Sequence, residues 1–75
     1  MNKHEILTQA LSAREDEVMH YQINIDNYER AIVKASEDAE LCEFVERLKE
    51  LLASSRIEQK KALIMRDVIR EQLEK

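Results

Sequence analysis

The chain contains neither glycine nor proline in its 75 residues. Glycine supplies the positive-φ positions of tight hairpin turns and of phosphate-holding loops, and proline supplies fixed bends. A chain without them is a poor candidate for a β-rich fold or a nucleotide-binding loop. We therefore expect long helices and an all-α fold, in a single helical-hairpin domain that spans residues 1–75.

Apolar side chains recur at alternating steps of three and four, the spacing of a helix face that packs along one seam. Each half of the chain contains one such series, in which seven of nine positions are apolar or aromatic. The first series is His4, Leu7, Leu11, Arg14, Val18, Tyr21, Ile25, Tyr28 and Ile32. The second is Leu41, Phe44, Leu48, Leu51, Ser55, Glu58, Ala62, Met65 and Ile69.

Capping residues suggest where the two helices begin. Asn2 and Glu5 have the spacing of a capping box, and Ser36 is well placed to cap a second helix. The sequence thus predicts a long antiparallel hairpin, with elements at about 3–34 (helix), 35–36 (turn) and 37–74 (helix). The alternative is three helices with a break near 54–55, because Ser55 and Glu58 form another capping box.

Each series contains one charged residue, Arg14 in the first and Glu58 in the second, and these two residues predict how the helices are aligned. When the chain folds back at the turn, Val18 faces Ser55, and Arg14 lies in the same layer as Glu58. An unpaired charge in a seam is costly, whereas an ion pair there can fix the register. Arg14 and Glu58 are therefore predicted to be a register pair.

A hairpin with one seam leaves many apolar side chains uncovered, and such surplus marks an interface. The predicted interface residues are Ile6, Ala10, Ile57, Ile64, Val68 and Leu73. Closed two-fold assembly is the commonest solution, so a homodimeric four-helix bundle is expected, with its contact centred on Ile57, Ile64, Val68 and Ile6. A different protein partner that buries the same surface is the alternative.

No residue pattern predicts catalysis. Glu17 and His20 match a metal-binding E-x-x-H spacing, but no carboxylate lies at the facing level of the second helix. His4 is expected at the end of the seam, and Cys42 is expected to be partly buried. The sequence therefore predicts no enzyme activity, no catalytic or metal site and no cofactor.

Composition narrows the function further. The net charge of −4 is solubilising, and it suits neither a protein that wraps nucleic acid nor a mimic of DNA. One cysteine, no long apolar run and no signal peptide predict a cytoplasmic protein without a membrane segment. The leading prediction is a small regulatory or adaptor protein that binds a larger cytosolic protein, in the style of accessory proteins of bacteria or phages. The alternative is a dimeric RNA-binding bundle that uses the basic stripe Arg56, Lys60, Arg66 and Arg70.

Overall fold

Two long helices run antiparallel in the computed structural model, which describes all 75 residues and confirms the predicted helical hairpin. Helix α1 spans Lys3–Ala35 and helix α2 spans Cys42–Glu74, with a short 3-10 segment at Ala39–Leu41 before α2. The molecule is a rod of 56 × 15 × 15 Å. Its radius of gyration is 17.0 Å, against about 11 Å for a compact domain of this length.

The Asn2 half of the predicted capping box is present at the start of α1, whereas the Glu5 carboxylate contacts the side chain of Asn2 and not its backbone N–H. The backbone N–H of Glu5 donates to Oδ1 of Asn2 at 2.8 Å, and Nδ2 of Asn2 reaches Oε1 of Glu5 at 3.5 Å. The alternative of a third helix is wrong, because α2 continues through 54–55 without interruption. Ser55 is buried within that helix instead of capping a new one.

The turn differs from the prediction. Ser36 ends α1 instead of starting α2, since its backbone is still helical, with φ −65° and ψ −17°. Its N–H and its Oγ both donate to the carbonyl of Ile32, at 2.9 and 2.6 Å. Asp38 has the extended backbone that an N-cap requires, and its Oδ1 accepts from the N–H of Glu40 at 3.0 Å. The connection therefore lies later in the chain than predicted, and α2 begins at Cys42 instead of residue 37.

Replacing Asp38 by alanine is expected to lower the free energy of unfolding by about 1 kcal/mol, because the cap of the 3-10 segment is lost. Urea unfolding followed by circular dichroism measures this change. Glu37→Ala is the matched control, since Glu37 is an exposed acid in the same turn whose side chain makes no hydrogen bond. Equal effects of the two substitutions would contradict the role assigned to Asp38.

The seam of α2 is rotated by about 50°, half of one residue position, relative to the prediction, so that Leu48, Ser55, Ala62 and Ile69 stay buried as predicted. Eight residues are buried: Ile25, Ala35, Val45, Leu48, Leu52, Ser55, Ala62 and Ile69. Val45 and Leu48 pack with Ala35 into a cluster that also contacts Tyr28, Ala31 and Ile32 of α1. Three predicted seam residues of α2, Leu41, Phe44 and Met65, are exposed instead. The later turn accounts for this, because Ala35, which the sequence places in the turn, belongs to α1 and packs against Val45.

The register is also displaced. Nε2 of Gln59 donates to the carbonyl of Val18 at 3.2 Å, where the sequence predicts Ser55. Gln59 follows Ser55 by four residues, so the displacement is about one helical turn. The predicted pair does not form: Arg14 contacts Glu17 at 3.3 Å within α1, and Glu58 contacts Lys61 at 3.0 Å within α2.

Candidate interaction surfaces

Polar side chains bridge the two helices along one side of the rod. Arg56 contacts Glu29 at 3.0 Å, Arg70 contacts Glu15 at 3.8 Å, and Nε2 of Gln59 donates to Oε1 of Gln22 at 2.9 Å. The α1 members are spaced by seven residues, so they lie on one face of that helix. We call this side the polar flank, defined by Glu15, Gln22, Glu29, Arg56 and Arg70.

The predicted basic stripe is largely neutralised. Arg56 and Arg70 are paired with α1 carboxylates on the polar flank, and Arg66 contacts the neighbouring Asp67 at 3.1 Å. Of the four basic residues, Lys60 alone forms no ion pair. A phosphate backbone would therefore compete with existing carboxylate partners for three of the four positive charges.

Three large apolar side chains line the outer face of α2. Ile57 and Ile64 each follow a buried seam residue by two positions, which turns them about 200° away from the seam. Val68 lies four residues, one turn, after Ile64. The exposed fractions are 54% for Ile57, 63% for Ile64 and 42% for Val68. We call these three residues the outer stripe.

The other predicted interface residues lie elsewhere. Ile6 is exposed on α1, while Ala10 is half-buried on the same helix. Leu73 is half-buried near His4 and Leu7, where the two chain ends meet and line a shallow cavity.

The side of the rod opposite the polar flank is less well closed. Here α1 presents Ala10, Glu17, Asn24 and Ala31, all half-buried. From α2 come Phe44, Leu51, Glu58 and Met65, again at seven-residue spacing. No side-chain hydrogen bond or ion pair crosses between the helices on this side, since Glu17 and Glu58 each pair within their own helix. We call these eight residues the open flank.

The sequence predicts Phe44 and Met65 in the hairpin core, and it does not predict a seam position for Gln59. Two adjacent series of residues at seven-residue spacing in α2 explain both errors. Either series can pack beside Leu48, Ser55, Ala62 and Ile69 to form the seam. One series contains Phe44, Leu51 and Met65, whereas the series that packs in the seam contains half-buried Gln59 and Arg66 after the buried Val45 and Leu52. The sequence does contain one indication that Gln59 lies in the seam: it follows the apolar residues Val45 and Leu52 at the same seven-residue spacing.

The ionisable and nucleophilic side chains do not gather into a site. His4 and His20 are both exposed, and the ring of His20 lies edge-on to Tyr21 at 5.8 Å. Cys42 is exposed where the sequence predicts partial burial, because it is the first residue of α2. No three His, Cys, Asp or Glu side chains are close enough together to hold a metal ion.

The fold and these surfaces define the molecule as an antiparallel helical hairpin with apolar side chains left uncovered. Neither helix has a stretch long and apolar enough to cross a lipid bilayer. Comparison with protein-family models, curated proteins and solved structures finds no match to this chain.

Proposed function

We propose that this protein is a small non-enzymatic regulatory or adaptor protein that binds a larger protein through the outer stripe of α2. The observation that carries the proposal is the exposure of Ile57, Ile64 and Val68 on a face turned away from the hairpin seam. Their spacing of seven and four residues is the pattern with which one helix enters an apolar groove of a partner.

The stripe has the composition of a recognition helix. Burying a complete isoleucine or valine side chain contributes about 1.5–3 kcal/mol, so three half-exposed ones contribute roughly 3–4 kcal/mol on binding. Lys61 lies within the stripe, and Asp67 and Glu71 border it. Charges around an apolar centre favour a partner with the complementary pattern and disfavour others.

Ile64→Asp is expected to abolish binding of the partner, because it places a charge at the most exposed position of the stripe. The measurement is quantitative affinity enrichment from the source cell with immobilised wild-type protein and variant. Ile23→Asp is the matched control, since Ile23 is 52% exposed on the other helix. A protein enriched by wild type and by Ile23→Asp, but reduced at least about tenfold by Ile64→Asp, supports the proposal. Equal enrichment by all three contradicts it.

Nucleic-acid binding by Arg56, Lys60, Arg66 and Arg70 is the competing proposal. Because three of these residues are already paired, we expect no binding of duplex RNA tighter than about 100 μM at physiological salt, the weak end of non-specific affinity. Fluorescence anisotropy over a salt series tests this. Micromolar binding that falls steeply with salt, and that Arg56→Gln and Lys60→Gln weaken, would favour the RNA-binding function over the adaptor.

A further inference from the structure

The hairpin exposes more surface than a compact protein of its mass. Its accessible surface is 5766 Å², whereas a folded monomer of 8.9 kDa exposes about 4,800 Å². The excess is thus roughly 950 Å², close to the ~800 Å² that each partner buries in a standard stable interface. The surplus is therefore large enough to supply one complete protein–protein contact.

Part of this surplus lies on the open flank, where no side-chain hydrogen bond or ion pair joins the two helices. Phe44 is 51% exposed and Met65 is 47% exposed, at opposite ends of the flank, with half-buried Leu51 between them. The hairpin packs the series with Gln59 and Arg66 in its seam and leaves Phe44 and Met65 of the more apolar series exposed. The polar flank, by contrast, is already closed by two ion pairs and an amide pair.

The shape and charge of the open flank suit a second copy of the chain. The flank is long and narrow, because it follows helices of 33 residues along a rod of 56 Å. A second hairpin offers helices of equal length with the same seven-residue spacing, so ridges and grooves can match over the whole length. The two acids of the open flank are paired within their own helices, Glu17 with Arg14 and Glu58 with Lys61. Like charges therefore do not oppose the contact between two copies.

We propose that the open flank binds a second copy of this chain and forms a homodimeric four-helix bundle. The seam side chains of both hairpins then share one core, into which Phe44, Leu51 and Met65 project. Ile57 and Ile64 of the outer stripe stay outside this core, whereas Val68 lies about one turn after Met65, at the edge of the open flank. The proposal rests on the open flank alone and does not depend on the proposed adaptor function.

Sedimentation equilibrium of the full chain over a concentration series tests the proposal. We expect a dimer at about 10 μM, since interfaces of this size have micromolar or tighter dissociation constants. Phe44→Asp and Met65→Lys are expected to raise the dissociation constant about 30-fold or more. Aspartate is tolerated at position 44, because an acid in the first turn of a helix is favourable. Ile57→Asp and Ile64→Asp are the matched controls and leave the dimer intact.

A variant that tightens the dimer distinguishes loss of the interface from loss of folding, because an unfolded variant cannot gain affinity. Glu58→Leu replaces the acid of the α2 series with an apolar residue, so it is expected to tighten the dimer about tenfold. A wild-type monomer at all concentrations would overturn the proposal. A dimer that Ile57→Asp or Ile64→Asp dissociates, while Phe44→Asp and Met65→Lys do not, would overturn it as well.

Discussion

Leu48→Ala is expected to lower the free energy of unfolding by about 3 kcal/mol. Leu48 is 5% exposed and packs with Ala35 and Val45 in the cluster next to the turn. Truncating it removes apolar burial and leaves a cavity that two rigid helices fill only in part. For a chain of this length, the loss corresponds to a fall of roughly 12–24 °C in Tm.

Thermal and urea unfolding at one fixed protein concentration measure this effect, because any self-association shifts apparent stability. Ile23→Ala is the control, since Ile23 is a large apolar residue that is mostly exposed on α1. Alanine is also the better helix former, so the control is expected to match or slightly exceed wild-type stability. A loss below 1 kcal/mol for Leu48→Ala would contradict the packing at the turn end.

Gln59→Leu is expected to raise the free energy of unfolding by about 1–2 kcal/mol while weakening the register. The amide of Gln59 donates to Val18 and Gln22 of α1 from a half-buried position in the seam. Leucine would bury more apolar surface there, and Gln22 is exposed, so its freed amide is solvated by water. A polar group in a seam specifies alignment at a cost in stability.

The register itself is measured by electron-electron distances between spin labels. In a Cys42→Ser background, labels at Arg30→Cys and Ala53→Cys report the axial alignment of the helices. Wild type is expected to give one narrow distribution. Gln59→Leu is expected to add a second population displaced by about 5.4 Å, one helical turn, which is the alignment that Ser36 as a helix cap would produce.

Gln72→Leu is the control for Gln59→Leu. Gln72 lies on the same helix, but its amide contacts only the carbonyl of Val68, one turn earlier on α2. This substitution is expected to leave both the stability and the single distance distribution nearly unchanged. A narrow distribution at the wild-type distance for Gln59→Leu would show that the turn alone determines the register.

The extent of helix was predictable because it depends on local properties. The absence of glycine and proline and the three-four spacing predict two long helices, and the Asn2 cap follows from its neighbours alone. The beginning of α2 was not predictable from the same signals. Ser36 and Asp38 both have capping side chains, and the turn places Asp38 at the start of the 3-10 segment, whereas α2 itself begins after Leu41 without a side-chain cap.

The candidate surfaces were predictable only in part. Ile57, Ile64 and Val68 were expected outside the seam, and they are exposed. Phe44 and Met65 were assigned to the wrong side of α2, because one residue of helix rotation separates a core position from a surface one. Nine apolar-spaced positions do not determine the rotation of α2 about its own axis when the adjacent seven-residue series is almost equally apolar.

The sequence by itself determined that the chain forms two long helices and folds back once near its middle. It did so because helix propensity and apolar spacing act between residues a few positions apart. Only the tertiary structure decided the register, the rotation of α2 and therefore which apolar side chains remain outside. Those features depend on contacts such as Ala35 with Val45 and Gln59 with Val18, which exist only once the turn has set the two helices side by side.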